Sequence, residues 1–170
     1  MTQLSHRSGV EEKGRRAARS DDVYLPKEGM EISWCKKCGV IYRQKRWIMD
    51  QAELEQIRKD PTAGVILCPA CQRMRDNVPG GIVTFNGGYM EKHEEEILEL
   101  IKIIEHKSRV KNPLGRIMEI SQEGNELTVS TTEDKLALKL GRDIFRSHKG
   151  ELHFKWSDGE KFVRVDWKRD

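Results

Sequence analysis

All four cysteines of this 170-residue chain fall into two Cys-x-x-Cys pairs, Cys35 with Cys38 and Cys68 with Cys71. Two such turns that face each other provide four soft thiolate ligands in a tetrahedral arrangement. Zinc is the usual ion in such a set, so the sequence predicts one Zn²⁺ held by these four cysteines. The competing interpretations are two redox dithiols or four unrelated buried thiols, and neither explains why every cysteine lies in the pattern.

The interval between the two pairs leaves a second metal open. It contains 29 residues, whereas zinc modules of this kind commonly have about 15 to 20. The segment from Cys35 to Tyr42, followed after this interval by Cys68-Pro-Ala-Cys71, is similar to rubredoxins, which hold one iron in four thiolates and transfer electrons. The segment departs from rubredoxins because it is basic and carries Gln72 where they have glycine. A rubredoxin-like iron carrier is therefore the alternative to a zinc protein.

No set of catalytic residues accompanies the cysteines. A hydrolytic zinc ion needs an open coordination position and a nearby acid or base, and four thiolates close the site. The second pair is one residue shorter than the Cys-Pro-x-x-Cys of zinc deaminases, and no His-x-Glu precedes it. The histidines are explained by exposed or structural positions. We therefore expect a protein without catalytic activity.

Basic residues surround the cysteines and are the second functional signal. Turn positions of a metal knuckle are exposed because the sulfurs point inward, so cations there can reach phosphates, and nearby aromatic rings can stack on bases. The interleaved aromatic residues are Trp34, Tyr42 and Trp47, which could instead pack over the metal as a small core. The candidate nucleic-acid-binding residues are Lys36, Lys37, Arg43, Lys45, Arg46, Arg73 and Arg75.

Composition limits the architecture and the compartment. Hydrophobic residues make up 36% of the chain and charged residues 35%, with a net charge of +3, which favours small folded units over one large core. The chain lacks both a run of about 18 apolar residues and the apolar region of a signal peptide. We expect a cytoplasmic protein with no membrane partner, where paired cysteines indicate a metal rather than disulfides.

The elements that must position these residues are predicted in four parts. Residues 1–29 form a flexible arm, residues 30–80 a four-cysteine zinc-ribbon or treble-clef-like module, residues 81–112 a strand and a connecting helix, and residues 113–170 a ββαββ domain. The connecting helix runs from Tyr89 to about Lys107, with Met90, Ile97, Ile101 and Ile104 on its apolar stripe. The predicted fold class is therefore α+β, with a C-terminal sheet of four strands covered by one helix.

Turn residues predict the registers of the C-terminal hairpins. A turn at Gly124-Asn125 places Ile120 opposite Val129 and Met118 opposite Thr131. A turn at Asp158-Gly159 places Phe154 opposite Val163 and Leu152 opposite Val165. Each hairpin then has one apolar face, and we expect the helix of residues 132–149 to cover it.

The order of motifs resembles a known family. Cys-x-x-Cys-Gly, a basic stretch with Trp47, Cys-Pro-x-Cys followed by arginine, an acidic helix, and a hairpin leading to residues 131–137 resemble an uncharacterised bacterial family of four-cysteine zinc-ribbon proteins over about residues 24–169. That family is distantly similar to the Nmd family of adaptors, which bind the large ribosomal subunit through N-terminal Cys-x-x-Cys modules. For the adaptors the resemblance rests mainly on Cys35, Cys38, Gly39, Cys68, Cys71 and residues 129–140, and it implies RNA or the ribosome as the partner.

The combined prediction is a non-catalytic, RNA- or ribosome-associated zinc protein. The alternative to RNA is a zinc-stapled interaction adaptor whose C-terminal sheet binds a protein partner or a second copy. The surface expected for that role is the outward face of the sheet, with Ile117, His153, Phe162 and Arg164.

Overall fold

The computed structural model describes residues 9–16, 31–157 and 161–170 and contains two sheets and five helices. The strands are β1 Val10–Lys13, β2 Ser33–Cys35, β3 Ile41–Arg43, β4 Arg46–Ile48, β5 Gly64–Ile66, β6 Gly81–Asn86, β7 Ile117–Glu123, β8 Glu126–Thr131, β9 Glu151–Trp156 and β10 Val163–Lys168. The helices are α1 Gln51–Arg58, α2 Pro69–Asp76, α3 Gly88–Lys92, α4 Glu94–Lys111 and α5 Asp134–His148. The fold is mixed α and β, as predicted.

The smaller sheet carries the cysteines and has the strand order β4-β3-β2-β5. Helix α1 follows β4, and Asp50 caps it by accepting a hydrogen bond from the backbone N–H of Glu53 at 3.1 Å. Helix α2 follows β5, with Cys68 as its N-cap residue and Pro69 in its first turn, where the missing N–H of proline costs nothing. It ends at Asn77 in the left-handed conformation, with φ of 53°. These short elements form the metal module, residues 31–79.

The larger sheet has six strands in the order β1-β9-β10-β6-β8-β7. Alternate residues of its central strands are buried, and residues of α3, α4 and α5 share the same apolar core. The opposite face of the sheet presents exposed polar residues, among them Lys155, Arg164 and Asp166. This α/β domain is therefore one layer of helices on one face of a mixed sheet.

Two predictions about this domain are wrong in part. The ββαββ order β7-β8-α5-β9-β10 is present along the chain, but the sheet has six strands rather than four because β6 lies between β10 and β8. Strand β6 pairs parallel with β10 over Gly81 to Asn86 and antiparallel with β8. The arm predicted over residues 1–29 contains β1, which pairs parallel with β9. Residues 1–8 and 17–29 lie outside the described residues.

The predicted connecting helix is part of the α/β domain and is not a separate link between that domain and the metal module. Helix α3 ends at Lys92 and α4 begins at Glu94, so the predicted helix is divided at His93. The predicted stripe of Met90, Ile97, Ile101 and Ile104 is confirmed, since all four side chains are buried in the same core as α5. An apolar stripe buried along its length packs a helix against its domain.

The registers of the two hairpins were predicted with different success. Ile120 does face Val129. A bulge between Ile117 and Glu119 shifts the start of β7, so Ile117 faces Thr131, where Met118 was expected. In the second hairpin Phe154 faces Val165 and Leu152 faces Trp167, which is a shift of two residues from the prediction. The expected turn at Asp158-Gly159 lies outside the described residues. A shift of two keeps every side chain on its predicted face, because side chains alternate with a period of two.

The described helices include none that is both long enough and apolar enough to cross a membrane.

Candidate metal centre

The four cysteine sulfurs form one cluster in which all Sγ atoms lie within 4.8 Å of one another. The Sγ atoms of Cys38 and Cys68 are 3.7 Å apart. A tetrahedral ion with metal–sulfur bonds of about 2.3 Å requires sulfurs about 3.8 Å apart. The cluster therefore fits a four-coordinate metal ion, and zinc and iron both satisfy these distances.

The backbone around each pair explains how the sulfurs meet. The first pair closes a turn in which the N–H of Cys35 donates to the carbonyl of Val40 at 2.8 Å and the N–H of Gly39 donates to the carbonyl of Cys35 at 2.9 Å. Gly39 has φ of +81°, and a Cβ there would lie 2.7 Å from Leu54 Cδ2. Glycine is thus required both by the turn and by the packing of α1 against it.

Backbone amides also point at the sulfurs. The N–H of Cys68 donates to Cys35 Sγ at 3.3 Å, and the N–H of Cys71 donates to Cys68 Sγ at 3.4 Å. Hydrogen bonds to the charged form of a group stabilise that charge. Cys35, Cys68 and Cys71 are buried and Cys38 is half-buried, so the site is closed and these amides replace water around the thiolates.

A buried arginine from outside the metal module completes the surroundings of the sulfurs. Arg116 lies just before β7, is only 5% exposed, and donates to Cys38 Sγ at 3.1 Å from Nη2 and to Cys71 Sγ at 3.6 Å from Nη1. Its Nε donates to the carbonyl of Pro113 at 2.9 Å, which fixes the plane of the guanidinium. Four thiolates on a divalent ion carry a net charge of −2, and Arg116 offsets half of it inside the protein.

The thiols differ in acidity in the absence of a metal. The hydrogen bond with Cys68 is the main cause that lowers the pKa of Cys38, and the N–H of Val40 and the guanidinium of Arg116 lower it further. The same contact with Cys38, followed by burial, raises the pKa of Cys68, and burial raises that of Cys71. A metal that binds this cluster must therefore displace protons from the thiols whose pKa is raised, Cys68 and Cys71.

The predicted basic residues are not brought together on one surface. Lys36 and Lys37 lie in the first knuckle, whereas Lys45 and Arg46 lie beyond the opposite end of β3, a strand of three residues that spans about 10 Å. These four are exposed and form no ion pair within the described part of the chain.

Three of the predicted cations have partners inside the module. Arg43 forms an ion pair with Glu53 at 2.7 Å. Arg75 pairs with Asp76 at 2.8 Å, and Arg73 donates to the carbonyl of Val78 at 3.3 Å. These contacts stabilise the module. The predicted cations that are exposed and form no ion pair among the described residues are Lys36, Lys37, Lys45 and Arg46, which we call the module cations.

The aromatic residues mainly have structural partners. The rings of Tyr42 and Trp47 are in contact, with centroids 4.7 Å apart, and Trp47 also packs against the cluster that contains the cysteines. Trp34 lies under the guanidinium of Arg58, at 5.2 Å. Tyr42 is buried, so it cannot stack on a base, while Trp34 and Trp47 each keep part of their surface accessible.

Sequence reasoning missed two polar contacts that join the metal module and the N-terminal strand to the α/β domain. Arg116 is one of them. The other is the ion pair between Arg16 and the buried Asp134, with Nε to Oδ2 at 2.6 Å. Both contacts join residues far apart in the chain, and no local pattern distinguishes either arginine from the many others.

No protein-family model matches this chain, and a search of curated proteins found no significant match.

Proposed function

We propose that this protein is a non-catalytic, RNA-associated zinc protein in which the metal is structural. The fold consists of two parts, a small metal module and an α/β domain. The cysteines form a centre that fits one metal ion. The family resemblance of the sequence makes ribosomal RNA the first RNA to test.

A structural role for the metal is supported by the surroundings of the sulfurs. Four protein ligands fill a tetrahedral ion, which leaves no coordination position for substrate or water. Two backbone amides and Arg116 supply hydrogen bonds to the sulfurs. The module has few other buried side chains, so the metal replaces much of the core that so small a unit lacks.

The observation that carries the RNA proposal is the exposed position of the module cations on a rigid scaffold. Lys36, Lys37, Lys45 and Arg46 are exposed and unpaired among the described residues, and β2, β3 and the metal hold the turns that carry them. Gln44 and Lys45 both have positive φ, at 50° and 61°, which is the two-residue hairpin turn that projects Lys45 from the sheet. Cations held in this way contact phosphates without sequence preference.

The test is co-sedimentation of the purified protein with ribosomes, together with binding to labelled RNA, at two salt concentrations. The parent should bind, and its affinity should fall steeply with salt because each phosphate contact releases counterions. A variant with Lys36, Lys37 and Lys45 changed to Glu should lose at least tenfold in affinity. A control with the exposed Lys92, Lys102 and Lys155 changed to Glu carries the same change in charge and should bind like the parent.

Other outcomes would redirect the proposal. Equal binding by both variants would show that the module cations do not contact RNA. A parent that binds no RNA but captures a protein through the open face of the sheet would favour the adaptor. A red preparation with one iron per chain would favour the electron carrier, whereas colourless protein with one zinc supports the proposed metal.

A further inference from the structure

Two concave surfaces of the described residues meet near the start of α5. The first is a cleft of about 370 Å³ between the metal module and the α/β domain, with Trp47, Pro69 and Ala70 on one side and Gly80, Thr132 and Glu133 on the other. The second is a groove of about 700 Å³ between α4 and α5. Clefts between structural units are the usual place for ligands.

The cleft and the groove adjoin each other. Asn112, Glu133 and Lys135 line both of them. We call the cleft and the groove together the channel, which extends from the metal module, past the start of α5, and along the helix pair. From Leu100 to Lys111 the groove follows α4 for about 17 Å.

Cations outnumber carboxylates along the whole channel. Those in the cleft are Arg16, Arg73, Lys135 and Lys161, and those added by the groove are Lys107, Lys111, Lys139 and Arg146. Such a concentration of positive charge in a concave surface attracts a polyanion more strongly than scattered surface lysines do.

Two of the three carboxylates that line the channel are in ion pairs, and the third, that of Glu133, accepts a hydrogen bond from Asn112 Nδ2 at 2.6 Å. Asp134 is paired with Arg16 at 2.6 Å. Asp143 lies between Lys139 at 3.0 Å and Arg146 at 3.6 Å. By contrast, Lys107, Lys111 and Lys135 are exposed and form no ion pair within the described ranges, so they are available to a ligand.

The floor of the channel offers apolar surface between these cations. Trp47 contributes a half-buried ring in the cleft, and Leu100 and Ile103 contribute aliphatic surface in the groove, where Ile103 is 41% exposed. Nucleobases have flat faces that pack on aromatic and apolar side chains while their phosphates meet cations at the rim.

We propose that a single strand of RNA lies in this channel, with phosphates on Lys107, Lys111 and Lys135 and bases against Trp47 and the floor of the groove. This inference rests on the proposed function and extends the RNA-binding surface from the metal module to the α/β domain. A single strand is favoured over a duplex because the axes of packed helices are only about 8 to 10 Å apart.

An acidic protein segment is the competing occupant, since it too would match a basic groove with an apolar floor. The ring of Trp47 and the cations Arg73 and Lys161 in the cleft favour RNA, because the positive charge continues beyond the end of the helix pair. A chain with a phosphate at every residue suits a basic track of this length better than a helix with one charged face.

The experiment compares full-length variants in binding to a labelled single strand of about 12 nucleotides. The channel variant changes Lys107, Lys111 and Lys135 to Glu, and the module variant changes Lys36, Lys37 and Lys45 to Glu, so both alter charge equally. The channel variant should lose at least tenfold in affinity. The slope of log affinity against log salt should fall by about two, since three single-strand phosphate contacts are lost.

A milder variant with the same channel lysines changed to Gln guards against a folding defect, and its melting temperature should match that of the parent. The pattern of RNA binding among the variants decides whether the inference holds. Loss in the channel variant supports the inference, whether or not the module variant also loses affinity. A parent that binds while both channel variants bind equally well overturns the inference and leaves the proposed function intact.

Two further outcomes also decide the question. A parent that binds no RNA refutes the proposed function and with it the channel. Polyglutamate of matched length that displaces the RNA at equal residue concentration would identify the groove as a site for an acidic protein and overturn the inference.

Discussion

Replacing Arg116 with methionine tests whether the metal centre depends on the α/β domain. The change keeps a long apolar side chain but removes the guanidinium that donates to Cys38 Sγ at 3.1 Å and to Cys71 Sγ at 3.6 Å. It also leaves the carbonyl of Pro113 without its donor, which is 2.9 Å away in the parent. The net negative charge of a metal with four thiolates would then be buried without the positive guanidinium that partly balances it.

The expected magnitude follows from these contacts. Loss of a group that hydrogen-bonds to metal ligands typically weakens metal affinity by about 10- to 100-fold. Removal of one partner of a buried ion pair costs about 3 to 5 kcal/mol of stability, because the remaining charge is uncompensated. Arg116 is only 5% exposed, so water cannot replace it. The zinc affinity and the stability of Arg116→Lys should lie between those of the parent and the methionine variant, because lysine keeps the charge but cannot donate to both sulfurs at once.

The assay is competition for zinc with a chromophoric chelator, followed by chemical denaturation of the zinc-loaded protein. Arg109→Met is the matched control, since Arg109 is exposed and its ion pair within the described ranges is with Glu105, at 3.7 Å. It should change stability by no more than about 0.5 kcal/mol. If Arg116→Met held zinc within threefold of the parent and unfolded at the same denaturant concentration, the contact would contribute nothing and the reasoning would fail.

Three other predictions concern the core, the thiols and a histidine. Leu140→Ala should lower the free energy of unfolding by about 2 to 5 kcal/mol because Leu140 is fully buried, whereas the exposed Lys139→Ala should change it little; urea denaturation measures both. Burial raises the pKa of Cys71, so zinc binding near neutral pH should release protons and weaken as pH falls; calorimetry in buffers of different ionisation enthalpy measures this, and binding without proton release would contradict it. Burial lowers the pKa of His148, so its contribution to stability is complete above the unfolded-state pKa of about 6.5 and is lost as pH falls through the lower folded-state value. His148→Gln should therefore flatten that part of the melting profile, and identical profiles would refute the assignment.

Local features of the sequence predicted the local features of the structure. The two Cys-x-x-Cys pairs predicted four sulfurs in one cluster, which the structure brings within 4.8 Å. The spacing of Met90, Ile97, Ile101 and Ile104 predicted the buried face of α3 and α4. Each of these inferences depends on residues within a few turns of one another or on ligand chemistry.

Pairings between distant segments could not be predicted in this way. Strand β6 lies beside β10, about 80 residues later in the chain, and β1 pairs with β9. Alternating apolar residues predict that a segment is a strand but do not specify its neighbour. The second hairpin shows the same limit, because a register shifted by two residues keeps the same apolar face and only the loop length distinguishes the two.

The basic surface of the groove could also be recognised only from the fold. Lys107 and Lys111 lie at the end of a helix that begins with Glu94, Glu95 and Glu96, so in the sequence they belong to a segment that is interpreted as an acidic helix. The packing of α4 beside α5 places those two lysines around the same groove as Lys135. A basic surface built from the ends of two elements is visible only once the elements are placed.

The metal centre and the channel share one structural support. Arg116 contacts the thiolates, its N–H donates to Thr132 Oγ1 at 2.9 Å, and that hydroxyl donates to the carbonyl of Leu114 at 2.6 Å. Thr132 and Leu114 line the cleft, so the residues that fix the module to the α/β domain also form its wall. Arg116 therefore has two roles, because its guanidinium offsets part of the charge of the thiolates while its backbone N–H joins the two walls of the cleft.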